Sequence, residues 1–278
     1  MFRYTPLTAI REVIFWILGL AFLAPFYFLI TTALKSDKEV LTASVLAPPA
    51  APDLSNFAKV LTATGNSNVI LGLVNSLIIT AGAILLLVLL GSLTGYVISR
   101  STSRWSRLAF YLFLIAIVLP TQLGTVPLYA GARTIGLTGS VFGMILLYTG
   151  MLLPLSIFLY ASFFRGLGMD YEEAATIDGA SRTQIFFRIV LPLMSPATGT
   201  VAILAGLIVW NDFFTSLIFL GGSANQTLPV AMYYYIGSLV SSWNQIFAIV
   251  IVSMIPILAF YLFAQKRFIQ GFSGGLKG

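Results

Sequence analysis

Long apolar runs separated by short polar segments dominate the hydropathy pattern of this chain. Each run holds roughly twenty residues or more, which at about 1.5 Å per residue is enough to cross a hydrocarbon core about 30 Å thick. Because a span in lipid must satisfy its own backbone hydrogen bonds, such runs predict α-helices. The six predicted spans are residues 12–34, 69–98, 106–130, 139–164, 193–220 and 245–265.

The composition favours the same fold and narrows the chemistry. Of 278 residues, 58% are hydrophobic and 9% are charged, against about 25% charged in an average soluble domain. We therefore predict an all-α polytopic membrane protein in which residues 1–278 form a single transmembrane domain. The chain contains neither cysteine nor histidine, which excludes disulfides, thiolate nucleophiles and the commonest zinc ligands. We expect no catalytic residues and no metal site.

The distribution of basic residues predicts the orientation of the spans. If the N-terminus is cytoplasmic, the inner segments hold 11 of the 15 lysines and arginines, and the long outer loop 221–244 holds none. This asymmetry follows the positive-inside rule. It places both termini and the loop 165–192 in the cytoplasm. In the other long outer loop, 35–68, the mixed sequence after Leu54 predicts a short interfacial helix.

The cytoplasmic loop between the fourth and fifth predicted spans concentrates the acidic residues of the chain. Good helix formers, with carboxylates in the first turn, predict a short helix that starts at Asp170 and is ended by Gly179. The amphipathic stretch 182–191 is expected to lie on the membrane surface before the fifth span begins. Of nine acidic residues in the chain, four lie within nine positions here: Asp170, Glu172, Glu173 and Asp178.

Helical spacing divides this predicted helix into two faces. Glu172, Ala175 and Thr176 share one face, and Glu173 and Ile177 share another. The small side chains of Ala174 and Ala175 would allow a partner to approach the helix closely. A carboxylate beside them could pair with an arginine or a backbone donor of that partner. The alternative is a solvated loop whose acidic residues only match the helix dipole.

The order of residues in this loop resembles the cytoplasmic coupling loop of bacterial ABC importer permeases. The pattern is Glu-Ala-Ala, three residues, Gly, nine residues, Ile, one residue and Leu-Pro, and it occurs at Glu173-Ala174-Ala175, Gly179, Ile189 and Leu191-Pro192. The chain is similar in particular to the carbohydrate-uptake branch and to subunits like the second maltose permease component. Further similarities are at Leu34-Lys35, Asn75-Ser76-Leu77, Trp210-Asn211-Asp212 and the tail from Gln265.

The resemblance implies a permease subunit of an ATP-driven sugar importer in a bacterial cell membrane. A dimer of cytoplasmic ATPase subunits would bind ATP and Mg, because this chain has no glycine-lysine phosphate-binding motif. The other expected partners are a second, different permease, an external solute-binding protein and membrane lipid, with no nucleic acid. The residues that the resemblance assigns to ATPase coupling are Glu172, Glu173, Ala174, Ala175, Asp178 and Gly179.

Polar residues inside the spans are candidates for the substrate route. They are costly in lipid and tend to face a cavity or a partner helix. Asparagine, glutamine and aspartate can hydrogen-bond sugar hydroxyls, and aromatic rings can stack on sugar rings. For any one of them, a helix-packing role is the alternative. The candidates, which fall in the outer half of the spans, are Asn75, Gln122, Tyr148, Trp210, Asn211 and Asp212.

Three other functional classes were weighed against a sugar importer. An ABC importer for a non-sugar solute, such as a glycerol phosphate or a polyol, would share these motifs. An ion-coupled secondary transporter usually has an ionisable residue near the bilayer midplane, and the predicted spans offer only Asp212 near an outer end. An intramembrane enzyme is disfavoured by the absence of histidine, cysteine and paired intramembrane carboxylates.

Overall fold

The structure is a computed structural model that describes residues 6–236 and 242–274, with side chains to residue 262. All regular secondary structure in those residues is helical, which confirms the predicted all-α class. The α-helices are α1 Pro6–Ala33, α2 Asp37–Thr42, α3 Ser55–Leu61, α4 Val69–Arg100, α5 Arg104–Val118, α6 Thr125–Thr134, α7 Val141–Gly166, α8 Asp170–Ile177, α9 Arg182–Gln184, α10 Leu191–Leu193, α11 Ser195–Asn211, α12 Phe214–Leu220, α13 Leu228–Ile236 and α14 Trp243–Gly274. Short 3-10 turns occupy Gly65–Ser67 and Thr121–Gly124, and a π-helical segment, Ile185–Val190, joins α9 to α10.

Four helices in the described residues are individually long and apolar enough to cross a membrane. These are α1, α4, α7 and the part of α14 from Trp243 to Leu262. Two further pairs of helices pass the same test only when each bent pair is taken together, which raises the number to six at most. Large apolar side chains on α1, such as Trp16 and Phe22, are exposed, as is common where lipid or another membrane helix covers a surface.

The third apolar segment is a broken helix, whereas the sequence predicted one continuous span over 106–130. Helix α5 ends at Val118, and the chain resumes as Thr121–Thr134 after a bend of 94°. Leu119 is extended, with ψ of 128°, because the following Pro120 disfavours helical geometry at the residue before it and has no N–H to donate. The bend therefore takes the residues after Pro120, among them the polar Thr121 and Gln122, off the axis of α5.

The fifth apolar segment is also interrupted, although residues 193–220 were predicted as one span. Residues 182–193 meet α11 at an angle of 71°, and the position of residues 182–191 on the membrane surface stays a prediction. A second break follows at Asp212, where extended backbone with ψ of 118° separates α11 from α12. At the first break the backbone bonds continue through Met194, whose N–H bonds Val190 O and whose carbonyl accepts from Thr198 N–H.

The chain divides into two compact units, residues 1–70 with 231–257 and residues 71–230 with 258–278. In the first unit, buried amides hold the end of α1, α3 and the start of α14 together. Asn244 Nδ2 donates to Lys35 O, Asp37 Oδ1 and Asn56 Oδ1 at 3.2, 2.7 and 3.0 Å. The predicted short helix in the loop 35–68 is confirmed as α3. Beside it, N–H groups of Ser36 and Ala50 bond the carboxylate of Glu39 and lower its pKa.

In the second unit, α4 and α7 pack with almost no space between their backbones. A Cβ added at Gly95 would lie 2.8 Å from Tyr160 Cβ, and one added at Gly91 would overlap Ser156 Oγ. Ser156 Oγ also donates to Leu87 O across the interface at 2.9 Å. Small residues of this kind allow membrane helices to approach closely, so α4 and α7 form a tightly packed pair.

Candidate coupling helix and polar cavity

Helix α8 lies between α7 and α9 and ends in a well-formed C-terminal cap. It spans Asp170–Ile177 with three carboxylates in its first turn, as the sequence predicted from helix-dipole complementarity. Gly179 has φ of +80°, a conformation that side-chain-bearing residues rarely adopt. Its N–H bonds Thr176 O at 3.1 Å, and Ala180 N–H bonds Ala175 O at 3.0 Å. This pair of bonds is the Schellman motif.

The carboxylate of Glu172 points into the protein and forms an ion pair with the last residue of α4. Arg100 Nε and Nη2 both lie 2.8 Å from Glu172 Oε1, and Tyr96 Oη donates to Glu172 Oε2 at 2.7 Å. Glu172 is only 8% exposed. A charge-assisted pair of this kind is stronger than a neutral hydrogen bond, and its burial makes removal of either partner costly.

Arg100 also bonds the end of α7, so one guanidinium connects three elements. Its Nη1 donates to Phe164 O and its Nη2 to Leu167 O, both at 3.0 Å. Phe164 lies in the last turn of α7 and Leu167 is the cap residue that follows it, where backbone N–H partners become fewer. Together with the bonds to Glu172, they fasten α8 to the adjacent ends of α4 and α7. We call Arg100, Tyr96 and Glu172 the junction.

Aromatic and aliphatic side chains pack around the junction. The ring of Tyr96 lies 5.5 Å from that of Phe164 and 5.2 Å from that of Phe186, within the range of favourable aromatic pairs. Ala175 is 6% exposed and belongs to the same hydrophobic cluster as Ile185. Ala175 therefore faces the core of the chain, and the close approach of a partner along the two alanines stays a prediction.

The opposite face of α8 is open to solvent. Glu173 and Ala174 are exposed, as are Asp178 and Gly179. Ile177 is 87% exposed, an unusual position for a large aliphatic side chain at the end of a polar helix. The predicted division of faces is confirmed for Glu172 with Ala175 and for Glu173 with Ile177, but it is wrong for Thr176, which is exposed and not buried with Glu172.

A cavity of about 280 Å³ lies beside the break between α11 and α12, within the second unit. Its walls come from the turn and helix after α5, from the middle of α7, and from both sides of the break. Seven of its lining residues are polar and seven are apolar. The polar lining residues are Thr121, Gln122, Thr125, Tyr148, Asn211, Asp212 and Thr215, and the apolar ones are Leu128, Met151, Leu152, Leu207, Ile208, Phe214 and Phe219.

Asp212 is the charged residue of this cavity. Tyr148 Oη donates to Asp212 Oδ2 at 2.5 Å and lies 3.0 Å from Ser216 Oγ, while Thr215 N–H approaches Asp212 Oδ1 at 3.4 Å. Among the residues that the structure describes, the ion pairs are Lys59 with Asp37 and Arg100 with Glu172. In that part of the chain, Asp212 is therefore held by hydrogen-bond donors and not by a cation.

Four of the six substrate-path candidates meet at the cavity: Gln122, Tyr148, Asn211 and Asp212. The other two do not line it. Asn75 is buried and donates from Nδ2 to Gln226 O at 3.0 Å, and Trp210 is buried within α11. Sequence reasoning missed Thr121, Thr125 and Thr215. Threonines are ordinary in membrane helices, so only their closeness to the helix breaks could have singled them out.

Comparisons with known proteins fit this architecture. Residues 87–274, more than half of the chain, match the family described as binding-protein-dependent transport system inner membrane component. The melibiose/raffinose/stachyose import permease protein MelC of Bacillus subtilis is 33% identical over 262 residues, which cover 93% of this chain and 92% of that protein. The sulfoquinovosyl glycerol transport system permease protein SmoH of Agrobacterium fabrum is 31% identical over 278 residues, 100% of this chain and 95% of that protein.

The fold is also shared with a solved transporter. A crystal structure of a bacterial ABC transporter involved in the import of the acidic polysaccharide alginate contains a chain that aligns with a TM-score of 0.84. The alignment covers 96% of this chain and 100% of that one at 22% sequence identity, so the likeness concerns the fold. The family match and the relatives above 30% identity together show that this chain belongs to the inner membrane component family of binding-protein-dependent transport systems.

Proposed function

We propose that this chain is the membrane-spanning permease subunit of an ABC importer for a sugar or oligosaccharide. Family membership supports the transport role, and the name of MelC supports a sugar as cargo. The partners would be a solute-binding protein on the outside, a dimer of ATPase subunits inside and a second, different permease. ATP and Mg would bind to the ATPase subunits, and this chain would catalyse no reaction itself. A polyol or glycerol phosphate importer is the alternative within the same family.

The single observation that carries the coupling part of this proposal is the contrast between two adjacent glutamates. Glu172 is buried in the junction with Arg100, whereas Glu173 is exposed. A loop that served only as a connection would have no reason to secure one carboxylate at the cost of desolvation while leaving the next one free. The arrangement suits a helix that is fixed on one face and binds a partner with the other.

The exposed face of α8 has the chemistry for close docking into a cleft. Ile177 offers an apolar anchor, Ala174 allows close approach, and Glu173 can accept hydrogen bonds from an arginine or backbone donor. Asp178 and Gly179 complete this surface at the helix end. We propose that a cytoplasmic ATPase subunit binds here, as the family pattern implies, with both chain termini on the same side of the membrane. The positive-inside distribution of arginine and lysine supports this orientation.

The junction provides a route for movement from the ATPase to the membrane helices. When a docked ATPase subunit displaces α8, the bonds from Arg100 to Glu172 and to two carbonyls of α7 transmit the displacement to the ends of α4 and α7. Close packing at Gly91 and Gly95 then makes these two helices move together. Alternating access would arise from movement of this pair as a rigid body.

A single-cysteine experiment tests the docking surface and the orientation, because the natural chain has no cysteine. The variant Ile177→Cys, carrying a maleimide-benzophenone photocrosslinker in the assembled importer, should form a covalent adduct with the ATPase subunit. Leu41→Cys, which is 79% exposed in the predicted outer loop, serves as the control and should form none. In intact cells, a membrane-impermeant maleimide should label Leu41→Cys and not Ile177→Cys. If Ile177→Cys forms adducts with lipid alone, the docking role is refuted.

A loss-of-coupling variant tests the same surface by function. Glu173→Lys combined with Gly179→Val reverses the exposed charge and places a β-branched residue at φ of +80°. We expect the spans to insert normally and the binding-protein-stimulated ATP hydrolysis of the assembled importer to fall to its basal rate. Wild-type stimulation in this variant would contradict the docking role.

A further inference from the structure

We propose that the cavity at the α11–α12 break is a subsite for one neutral sugar unit and that Asp212 makes it select against anionic sugars. This inference rests on the proposed import function and adds the substrate class. It also assigns direct cargo contact to this subunit. The resemblance alone would leave most of that contact to the partner permease.

The lining has the composition of a carbohydrate site. Hydroxyl and amide groups of Thr121, Gln122 and Asn211 can donate to and accept from sugar hydroxyls, and the ring of Phe214 offers an apolar face. The other side of the cavity carries aliphatic side chains, which suit the C–H faces of a sugar ring. Small-molecule sites typically combine such an apolar wall with a few fixed polar groups.

The size of the cavity limits what it can hold. Its volume of about 280 Å³ lies near the lower end of the range of roughly 300–1,000 Å³ for small-molecule sites. It corresponds to about nine water molecules at roughly 30 Å³ each, which suits one hexose unit. Gln122 and Phe214 are exposed at its edge, so the remaining units of a longer sugar could extend beyond this chain.

The charge of the cavity decides which sugar units it accepts. Among the described residues, its lining includes one carboxylate, Asp212, and no lysine or arginine. A carboxylate attracts hydroxyl donors strongly and repels another anion at short distance. An acidic sugar, such as a uronate, would require a cation here. The lining therefore favours a neutral unit.

Tyr148 is the positioning residue for this carboxylate. Its hydroxyl holds Asp212 Oδ2 at 2.5 Å, which fixes the side chain without neutralising it as an arginine would. Asp212 Oδ1 has only the long contact of 3.4 Å to Thr215 N–H and can accept a further donor. The geometry thus leaves one oxygen of a fixed, charged group available to a ligand hydroxyl.

Saturation-transfer NMR on the assembled importer in nanodiscs, without its binding protein, tests the selectivity. The neutral probes are raffinose and maltotriose, and the anionic probe is trimannuronate. We expect the better neutral probe to receive about tenfold more saturation than trimannuronate, because one like-charge repulsion is sufficient for that ratio. Asp212→Asn should bring the two signals within about twofold, and Tyr148→Phe should lower the ratio without abolishing neutral binding.

Three outcomes would overturn the subsite. They are equal signals from neutral and anionic probes in the wild type, no signal from either neutral probe, and an unchanged neutral signal in the double variant Gln122→Leu, Asn211→Leu. Binding-protein-stimulated ATP hydrolysis is measured on the same preparations. If stimulation is normal while selectivity is absent, the subsite fails and the import function stands; if stimulation is absent in the wild type, the proposed function itself fails.

Discussion

Two carboxylates in the second unit of the chain, Glu172 and Asp212, have opposite surroundings. Glu172 is paired with Arg100, bonded by Tyr96 and buried at the meeting point of three helices. Asp212 is bonded by Tyr148, has no cationic partner among the described residues, and borders a cavity. Both residues accept a hydrogen bond from a tyrosine hydroxyl, so the difference lies in the arginine.

This difference separates a structural role from a binding role. A guanidinium neutralises Glu172 and occupies one of its oxygens, and the carboxylate then serves as a fastening point for α8. Without a cationic partner, Asp212 retains acceptor capacity for a ligand. In a membrane protein, the role of an acidic residue depends on whether a cationic partner neutralises it. That partner can be remote in sequence. Arg100 and Glu172 are separated by 72 positions.

Replacement of Arg100 should have the largest effect on stability. Arg100→Ala leaves Glu172 as a buried carboxylate without a counter-ion and removes the side-chain donor of Leu167 O, while Phe164 O keeps its bond from Leu167 N–H. We expect a loss of about 3–5 kcal/mol in stability, measured as a lowered thermal unfolding midpoint of the purified complex, together with loss of transport. Arg107→Ala, an exposed arginine of α5, is the control and should stay within about 0.5 kcal/mol of the wild type.

The packing that supports the junction can be tested by filling the space between α4 and α7. Gly95→Ala would place its Cβ 2.8 Å from Tyr160 Cβ and 3.0 Å from Ala161 N. Overpacking of this kind costs about 1–3 kcal/mol, which the same thermal assay should detect. Gly199→Ala in α11 meets nothing within 4 Å and should be neutral or slightly stabilising. Equal results for the two variants would mean that the α4–α7 contact is not tight.

Removing the tyrosine hydroxyl tests the other carboxylate. Tyr148→Phe deletes the hydroxyl that donates to Asp212, but it breaks no buried ion pair. Water from the cavity can hydrate Asp212 in its place. The expected loss of stability is therefore only about 1 kcal/mol, measured by thermal unfolding. Tyr111→Phe, at an exposed position of α5, is the matched control. A loss as large as that of Arg100→Ala would show that Asp212 is as structural as Glu172.

The smallest effect on stability is expected at Glu173, next to the buried glutamate. Glu173→Ala removes an exposed carboxylate, so stability should change by no more than about 0.5 kcal/mol, while binding-protein-stimulated ATP hydrolysis should decrease. Glu172→Ala in the same assays should lower the thermal midpoint clearly. Equal thermal shifts for the two variants would mean that the two faces of α8 do not differ as proposed.

Local patterns were sufficient to predict part of this structure. Hydropathy predicts the apolar helices, helix-dipole matching predicts the start of α8 at Asp170, and the conformational freedom of glycine predicts its end at Gly179. Helical spacing also separates Glu172 from Glu173 correctly. These features depend on neighbours within a few residues, which is the range over which sequence patterns are informative.

The helix breaks were not predicted, because a proline inside a membrane span has two outcomes. Pro154 lies within the continuous helix α7, whereas Pro120 follows the end of α5. Which outcome occurs depends on whether neighbouring groups satisfy the freed carbonyls, and this is a tertiary property. The ion pair between Arg100 and Glu172 and the placement of Gln122 and Asp212 around one cavity are likewise long-range features that no local pattern encodes.

The ratio of sugar imported to ATP hydrolysed tests the coupling role of the junction most directly. The measurement uses proteoliposomes that contain the assembled importer, supplied with its binding protein and the sugar that the binding protein carries. It compares the wild type with Glu172→Gln and Glu173→Gln. If the junction transmits movement from a docked α8, Glu172→Gln should keep ATPase binding but import less sugar per ATP, while Glu173→Gln should reduce stimulated hydrolysis itself. A wild-type ratio in Glu172→Gln, with import and hydrolysis unchanged, would contradict that role.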